Sequence, residues 1–273
     1  MSKNFAETGY IILKKAISNK LINEIKNEIY SFLKINGKSE KNKYQKFCKL
    51  VEKIKIKEFD FTEPIFEILL YKGLIKNFFL EKKFINSVAH LLGRDLAFCS
   101  DGGITLNLPK KASPKKNYLF KDWHQEIWSG ASPSTVQIWS PLIFEDINSG
   151  QMEIMEESHK WGHIPHMDRK PIQLPKKYKT KKLKLDYGDV IIFSTLLMHR
   201  SLPTTKPRLS LPVLIKNFKD RNHIFQDNRS FKIYSYSEMT KLERILGNEM
   251  LSPYRLKNVE EESKTIFEPK DII

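Results

Sequence analysis

Apolar residues in the first third of the chain recur at intervals that are typical of helices. Ser18 occupies the position of a helix N-cap, and the apolar residues that follow it are spaced three and four apart. Similar intervals predict helices over 63–80 and 82–92, with Gly93 as the residue that closes the second one. The Lys-rich stretch 35–60 is interpreted as an exposed loop with a helix in it, or as a mobile segment near a site entrance. The first ninety or so residues are therefore predicted to be mostly helical.

Beyond this region the pattern changes to short apolar and β-branched segments that are separated by turn residues such as Gly102-Gly103 and Gly188. Many short strands with turn signals between them predict a sandwich or a barrel. A helix is predicted again over 238–246, followed by a polar tail. The predicted strands are residues 9–13, 96–99, 104–108, 135–139, 152–155, 182–185, 190–194 and 209–215.

A chain of 273 residues can bury a sizeable core, and its hydrophobic content of 40% is that of a globular protein. Neither an internal repeat nor a linker divides it, so we expect a single domain over 1–273. Within it, 1–93 would be a mostly helical support, 94–220 the β core and 221–273 a C-terminal extension.

The net charge of +15 is the unusual feature of the composition. Lys greatly outnumbers Arg and is spread along the whole chain, whereas a nucleic-acid surface more often clusters its cations and favours Arg. A basic nucleic-acid-binding module, whose affinity would depend strongly on salt, is the less favoured hypothesis. The positive field favours small anionic ligands instead.

The two cysteines, Cys48 and Cys99, have neither metal-ligand nor disulfide-framework spacing, and both are expected to be reduced. The start of the chain has no apolar leader and no run of 18 apolar residues exists, so we expect a cytoplasmic protein without a membrane span.

The clearest candidate chemistry lies at His124 and Glu126. In an extended strand, residues two apart project from the same face, which would place an imidazole beside a carboxylate. His199 follows the apolar strand predicted at 190–194 and is placed to be a third ligand. Arg208 is a single cation in a run that otherwise belongs to the core, and a buried Arg is rare unless an anion meets it. Together these residues indicate a metal of the two-His-one-carboxylate kind beside a carboxylate co-substrate.

The chain resembles the phytanoyl-CoA dioxygenase family of Fe(II)- and 2-oxoglutarate-dependent oxygenases. The resemblance covers roughly residues 5 to 217 and implies a double-stranded β-helix, a cupin-like jelly roll, with the N-terminal helices packed on the outer sheet. It is carried by the segments 9–13, 123–126, 150–162 and 188–208.

Iron is implied to be bound by His124, Glu126 and His199, with no catalytic residue beyond these ligands. The family usually has Asp at the position of Glu126, but the longer Glu is still a hard oxygen donor. Zinc is the rival metal, yet no fourth His or Cys stands at suitable spacing. Because Glu126 fills the carboxylate position, halogenation is disfavoured.

The co-substrate, 2-oxoglutarate, would be held by Arg208 through two parallel hydrogen bonds to its far carboxylate. Ser201 and Trp139 match family positions that contact the co-substrate. Ser210 shares a strand face with Arg208, and Asn107 lies on the strand before the metal motif, where a polar contact is expected. The serines could instead be satisfied β-edge hydroxyls, and Trp139 could be plain core.

These assignments predict a hydroxylase that acts on an unactivated C–H of a small, anionic molecule with O₂ and releases succinate and CO₂. The alternative is a non-catalytic jelly-roll binding protein derived from the same family. The lysines 110, 111, 115 and 116 near the expected mouth favour a phosphorylated or carboxylated substrate, while the oligomeric state stays open. A second metal site at His159, His163 and His166 is disfavoured, because Trp161-Gly162 and Pro165 interrupt any regular face.

Overall fold

A computed structural model describes residues 2–53, 62–100, 103–109, 122–145, 147, 152–168, 170–202, 204–219 and 231–245. The basic stretch 110–121, with the four lysines singled out above, lies outside these residues. The helices are α1 (Ser2–Thr8), α2 (Asn19–Phe32), α3 (Glu40–Lys53), α4 (Thr62–Tyr71), α5 (Leu74–Leu80), α6 (Lys82–Leu92) and α7 (Glu238–Ile245). The strands are β1 (Tyr10–Leu13), β2 (Leu96–Cys99), β3 (Thr105–Asn107), β4 (Val136–Ile143), β5 (Met152–Met155), β6 (His166–Met167), β7 (Lys170–Pro171), β8 (Thr180–Leu183), β9 (Val190–Ser194), β10 (His199–Ser201), β11 (Arg208–Asn217) and β12 (Phe231–Ser235).

The helical first third is confirmed, with one break that was not predicted. Ser18 caps α2, since its hydroxyl accepts a hydrogen bond from the Leu21 amide at 3.4 Å. Gly93, with φ of 82°, follows α6 as predicted. The predicted helix over 63–80 is instead two helices, because Gly73 adopts φ of 72° between α4 and α5. A left-handed residue at that point redirects the chain, so the two pieces pack against each other.

The strands form a larger sheet with the order β1-β9-β4-β11-β2-β12, in which β3 also pairs with β11. A smaller sheet has the order β10-β5-β8, and the short pair β6-β7 lies between β5 and β8 in the chain. Every strand pair among the described residues is antiparallel. The double-sheet prediction is confirmed, although α1 and β12 were not foreseen and β4 continues four residues beyond the predicted 135–139.

Alternating side chains bury both faces of the larger sheet. Leu209, Leu211 and Val213 of β11 join the core formed with the N-terminal helices. Trp139 of β4 and Phe193 of β9 point the other way and pack with residues of β5 and β8 in the smaller sheet. The helices therefore cover one face, and the space between the two sheets lies on the other.

The turn before β9 is tied to the end of β1. The Gly188 carbonyl accepts hydrogen bonds from the amides of Ala16 and Ile17 at 2.8 and 3.1 Å. Asp189 is 1% exposed, and its carboxylate accepts hydrogen bonds from the Lys15 amide, the Asp186 amide and Lys14 Nζ at 2.9, 2.9 and 2.7 Å. Burial raises the pKa of the Asp189 carboxyl, but these hydrogen bonds more than offset burial and leave that pKa below its ordinary value.

None of the described helices combines the length and apolar character that crossing a bilayer requires.

We predict that Asp189→Asn lowers the free energy of unfolding by about 1–3 kcal/mol, because a buried carboxylate loses charged hydrogen bonds. A carboxyl with a depressed folded-state pKa stabilises the protein above its unfolded-state pKa, about 3.9, and this contribution is lost as the pH falls through the folded value. Urea unfolding between pH 7 and pH 3 measures both effects. The exposed Glu24→Gln is the control, and equal losses in the two variants would contradict the role of Asp189.

Candidate metal centre

His124 and His199 face each other across an isolated antiparallel bridge. The His124 amide donates to the His199 carbonyl at 3.0 Å, and the His199 amide donates to the His124 carbonyl at 3.1 Å. Side chains at directly opposed positions point to the same side of a bridge, so the imidazole rings lie with their centroids 4.1 Å apart. Two residues far apart in the sequence thus become immediate neighbours.

Glu126 reaches the same point by a route that was not predicted. Gln125 is extended, with φ of −112° and ψ of 144°, but Glu126 begins a 3₁₀ turn over Glu126–Ser129 rather than continuing a strand. The prediction that His124 and Glu126 lie on one extended strand was therefore wrong. The Ile127 amide donates to the Thr195 carbonyl at 3.2 Å, and the chain turns at this point. Glu126 Oε1 nevertheless lies 3.5 Å from His124 Nε2 and 3.3 Å from His199 Nε2.

The tautomers of both histidines follow from their backbone contacts. His124 Nδ1 lies 2.6 Å from the Asp122 carbonyl oxygen, and His199 Nδ1 lies 2.9 Å from the Leu197 carbonyl oxygen. A carbonyl oxygen can only accept, so each Nδ1 carries a hydrogen, and each Nε2 is the ring nitrogen that lies near Glu126. Metal-binding histidines are commonly fixed in this way.

The donor set fits a divalent transition metal. One ligand atom from each of His124, Glu126 and His199 can be chosen so that all three lie within 4.8 Å of one another. Among the described residues this is the one group of His, Cys, Asp or Glu side chains with that property. Two neutral imidazoles and a carboxylate suit Fe(II) and leave coordination positions open for other ligands.

Gln125, between the two ligands, was missed in the sequence. Its side chain is fully buried. Its Nε2 donates to the carbonyls of Gly162 and Leu196 at 2.9 and 2.6 Å, and its Oε1 accepts from the Ile164 amide at 2.9 Å. This amide ties the metal motif to the segment before β6 and to the turn before His199. Its place between two candidate metal ligands, His124 and Glu126, is the feature of the sequence that could have identified it.

Arg200, next to His199, holds the segment that precedes His124. Its Nε and Nη2 both lie within 2.8 Å of Glu153 Oε2, and its guanidinium stacks 4.5 Å from the Trp123 ring centroid. Asp122 Oδ1 is 3.7 Å from Arg200 Nη1. Since the Asp122 carbonyl accepts from His124, these contacts restrain the orientation of that ligand.

Arg208 lies at the start of β11 and is completely buried. Its Nη2 donates to Asn107 Oδ1 at 2.9 Å, and its guanidinium lies 5.1 Å from the Trp139 ring centroid. Burial lowers the pKa of Arg208 to about 9. The structure thus groups Arg208, Asn107 and Trp139, three of the predicted co-substrate residues.

The two predicted serines occupy different surroundings. Ser210 is fully buried, and its hydroxyl lies 2.8 Å from the Thr105 hydroxyl on β3. Ser201 is half-buried on β10, two residues after His199, so strand alternation places both on one face. Whether either serine contacts the co-substrate stays a prediction.

Phe193 connects the two groups of residues. Its ring centroid lies 4.7 Å from that of His199, and it belongs to the same apolar cluster as Trp139. One apolar cluster therefore contacts both the ring of His199 and the guanidinium of Arg208.

Two of the histidines outside the triad, His159 and His166, have structural contacts. His159 Nε2 lies 2.9 Å from the Ala6 carbonyl oxygen, and the His159 ring packs on Gly9, where an added Cβ would lie 2.4 Å from Nδ1. His166 stacks on Trp128 with 4.6 Å between ring centroids. The described residues bring no second metal cluster together at these positions.

A comparison with protein families matches residues 5–210 to the phytanoyl-CoA dioxygenase family. This match spans more than half of the chain, and the chain belongs to that family. A search of curated protein sequences finds no match.

Solved structures share the fold at low sequence identity. One is the epimerase SnoN in complex with Fe3+, alpha ketoglutarate and nogalamycin RO, at 12% identity and a TM-score of 0.58, covering 84% of this chain and 87% of that one. Another is the apo non-heme monooxygenase ThoJ, at 16% identity and a TM-score of 0.56, covering 87% and 84%. A third is the non-heme alpha ketoglutarate dependent carbocyclase SnoK from nogalamycin biosynthesis, at 13% identity and a TM-score of 0.51, covering 86% and 95%. The predicted jelly-roll class is confirmed.

We predict that Gln125→Leu lowers the free energy of unfolding by about 2–4 kcal/mol, since it leaves the buried Ile164 amide and the half-buried carbonyls of Gly162 and Leu196 without their side-chain partner. Loss of the same restraint should weaken Mn(II) binding by about 10–100-fold. Urea unfolding and Mn(II) titration measure the two effects. Gln45→Leu, at an exposed position of α3, is the control; wild-type values for Gln125→Leu would refute the positioning role.

Proposed function

We propose that this protein is an Fe(II)- and 2-oxoglutarate-dependent dioxygenase that hydroxylates an unactivated C–H of a small, anionic molecule. The observation that carries the proposal is the convergence of ligand atoms from His124, Glu126 and His199, accompanied by the completely buried Arg208. Family membership and the cofactors named for structural neighbours agree with the predicted Fe(II) and 2-oxoglutarate.

In this proposal His124 Nε2, His199 Nε2 and a Glu126 oxygen bind the metal and leave its remaining positions for small ligands. The two Nδ1–H groups stay on the backbone carbonyls of Asp122 and Leu197, which orients both rings with Nε2 toward the metal position. Bound iron, with O₂ and 2-oxoglutarate, supplies the oxidation that yields succinate, CO₂ and a hydroxylated product. The chain supplies orientation and a water-poor interior.

Arg208 would bind the far carboxylate of 2-oxoglutarate. Full burial disfavours its charged form, and a carboxylate partner would offset that cost by a charge-assisted, two-pronged contact. Asn107 holds one guanidinium nitrogen and Trp139 covers the guanidinium, so the group is oriented before the co-substrate arrives. Ser201 and Ser210 are proposed as further co-substrate contacts.

The anionic substrate class is supported by the net charge of +15, which raises the local concentration of anions around the site. The reaction class is supported by the carboxylate ligand, since Glu126 occupies the position that a halide would need.

We predict that His199→Ala abolishes Fe(II)-dependent release of succinate from 2-oxoglutarate and removes the site for about one Mn(II) per chain. His163→Ala, an exposed histidine outside the triad, should keep both. Equal succinate release by wild type and His199→Ala would contradict the proposal. A wild-type protein that takes up no metal would favour the non-catalytic binding protein instead.

We predict that Arg208→Lys raises the KM for 2-oxoglutarate by about 10–100-fold, because an ammonium cannot reproduce the two parallel hydrogen bonds. The affinity for Mn(II) in the absence of 2-oxoglutarate should change little, since Arg208 is not a ligand. An unchanged KM would exclude Arg208 from co-substrate binding.

A further inference from the structure

The interior face of the larger sheet stays partly open along β11. Leu211 and Val213, which point toward the helices, are almost completely buried. Pro212 and Leu214 point the opposite way and are only half-buried, although β11 is an inner strand of the sheet. Each of these two side chains therefore remains partly accessible on that face.

Gln137 lies on this interior face, two residues before Trp139 on β4. It stands opposite Phe193 of β9 and Leu214 of β11, and Phe193 contacts the ring of the predicted metal ligand His199. Its side chain is only 5% exposed, and its Oε1 has no hydrogen-bond partner within the described residues. A buried amide oxygen in this condition costs free energy unless a ligand supplies a donor.

Thr135, two residues before Gln137, is a second buried polar side chain on the same face. It is 1% exposed, and its Oγ1 likewise has no hydrogen-bond partner in the described part of the chain. The register of β4 and β11, continued by one residue beyond the pair Val136–Ile215, places Lys216 opposite Thr135.

Lys216 is a second cation on the interior face of β11. It follows Arg208 by eight residues, so strand alternation directs both side chains to the same side. It is 2% exposed, and its Nζ lies 4.0 Å from the centroid of the Phe231 ring. Lys216 therefore adds a buried cation to the face that carries Thr135 and Gln137.

The two buried cations of β11, Arg208 and Lys216, lie on opposite sides of Trp139. Arg208 covers Trp139 from one side, whereas Gln137, Thr135 and Lys216 lie beyond Trp139 on the other side, away from Arg208. The co-substrate proposed above would use the Arg208 side, which leaves the opposite side for the molecule that is oxidised.

We propose that Thr135, Gln137 and Lys216 bind an oxyanion of the primary substrate, a carboxylate or a phosphate. Lys216 supplies the charge, while the Thr135 hydroxyl and the Gln137 amide supply hydrogen bonds; the amide can turn to offer either its nitrogen or its oxygen. The inference rests on the proposed function and makes this triplet the determinant of substrate class.

The test uses the full chain loaded with Mn(II) and saturating 2-oxoglutarate, so that the metal and Arg208 are already engaged. Paramagnetic relaxation of ³¹P in inorganic phosphate and of ¹³C in carboxyl-labelled acetate reports an oxyanion near the metal. Faster relaxation in the phosphate arm or the acetate arm identifies the group that the triplet accepts.

We expect Lys216→Met to lower the affinity of the protein for the bound anion by about tenfold or more, which is the loss typical of one charged hydrogen bond. Gln137→Glu, which keeps the side-chain size and adds a like charge, should remove the effect as well. Lys232→Met, at an exposed position of the adjoining strand β12, should retain it. Thermal unfolding confirms that each variant is folded.

The two proposals fail separately. If the wild type binds neither Mn(II) nor 2-oxoglutarate, the dioxygenase proposal is wrong. If the wild type binds both but accelerates the relaxation of neither anion, the triplet does not bind the substrate. The same conclusion follows if Lys216→Met and Gln137→Glu accelerate the relaxation as much as the wild type does.

Discussion

Strands β4, β9 and β11 are buried on both faces, and each face has a different partner. Leucine, isoleucine and valine on one side close the core with the helices. The buried Ser140 on that side has its hydroxyl hydrogen-bonded to the Asp189 carbonyl. The opposite side carries Arg208, Trp139, Gln137 and Lys216 among apolar residues. Because side chains alternate along a strand, one face of the sheet can pack against the helices while the other face carries polar and charged residues.

The metal-binding triad depends on that frame but is assembled by backbone contacts. A single antiparallel bridge brings His124 and His199 together, and carbonyl groups fix both tautomers. Gln125 then joins the motif to the neighbouring segments through three hydrogen bonds. A fully hydrogen-bonded buried amide is rigid, so the ligands are held in place by groups that do not themselves bind metal.

Much of the architecture was readable because it depends on local patterns. Ser18 and Gly93 mark helix ends by capping chemistry that needs no tertiary information. The helix break at Gly73 was missed, since a lone glycine in an apolar helical pattern does not reveal its φ. The 3₁₀ turn at Glu126 was also missed, because it forms only where Ile127 meets the Thr195 carbonyl across the fold.

By itself, the sequence determined the class of fold, the family, and which side chains carry chemistry, since these follow from periodicity and from residue types that are costly to bury without a purpose. Only the tertiary structure decided that the Glu126 carboxylate meets both imidazoles, that Asn107 orients Arg208, and that Gln137 and Lys216 share the interior face with them. The physical reason is that strand register and long-range hydrogen bonds set these distances, and neither is encoded in residue spacing along the chain.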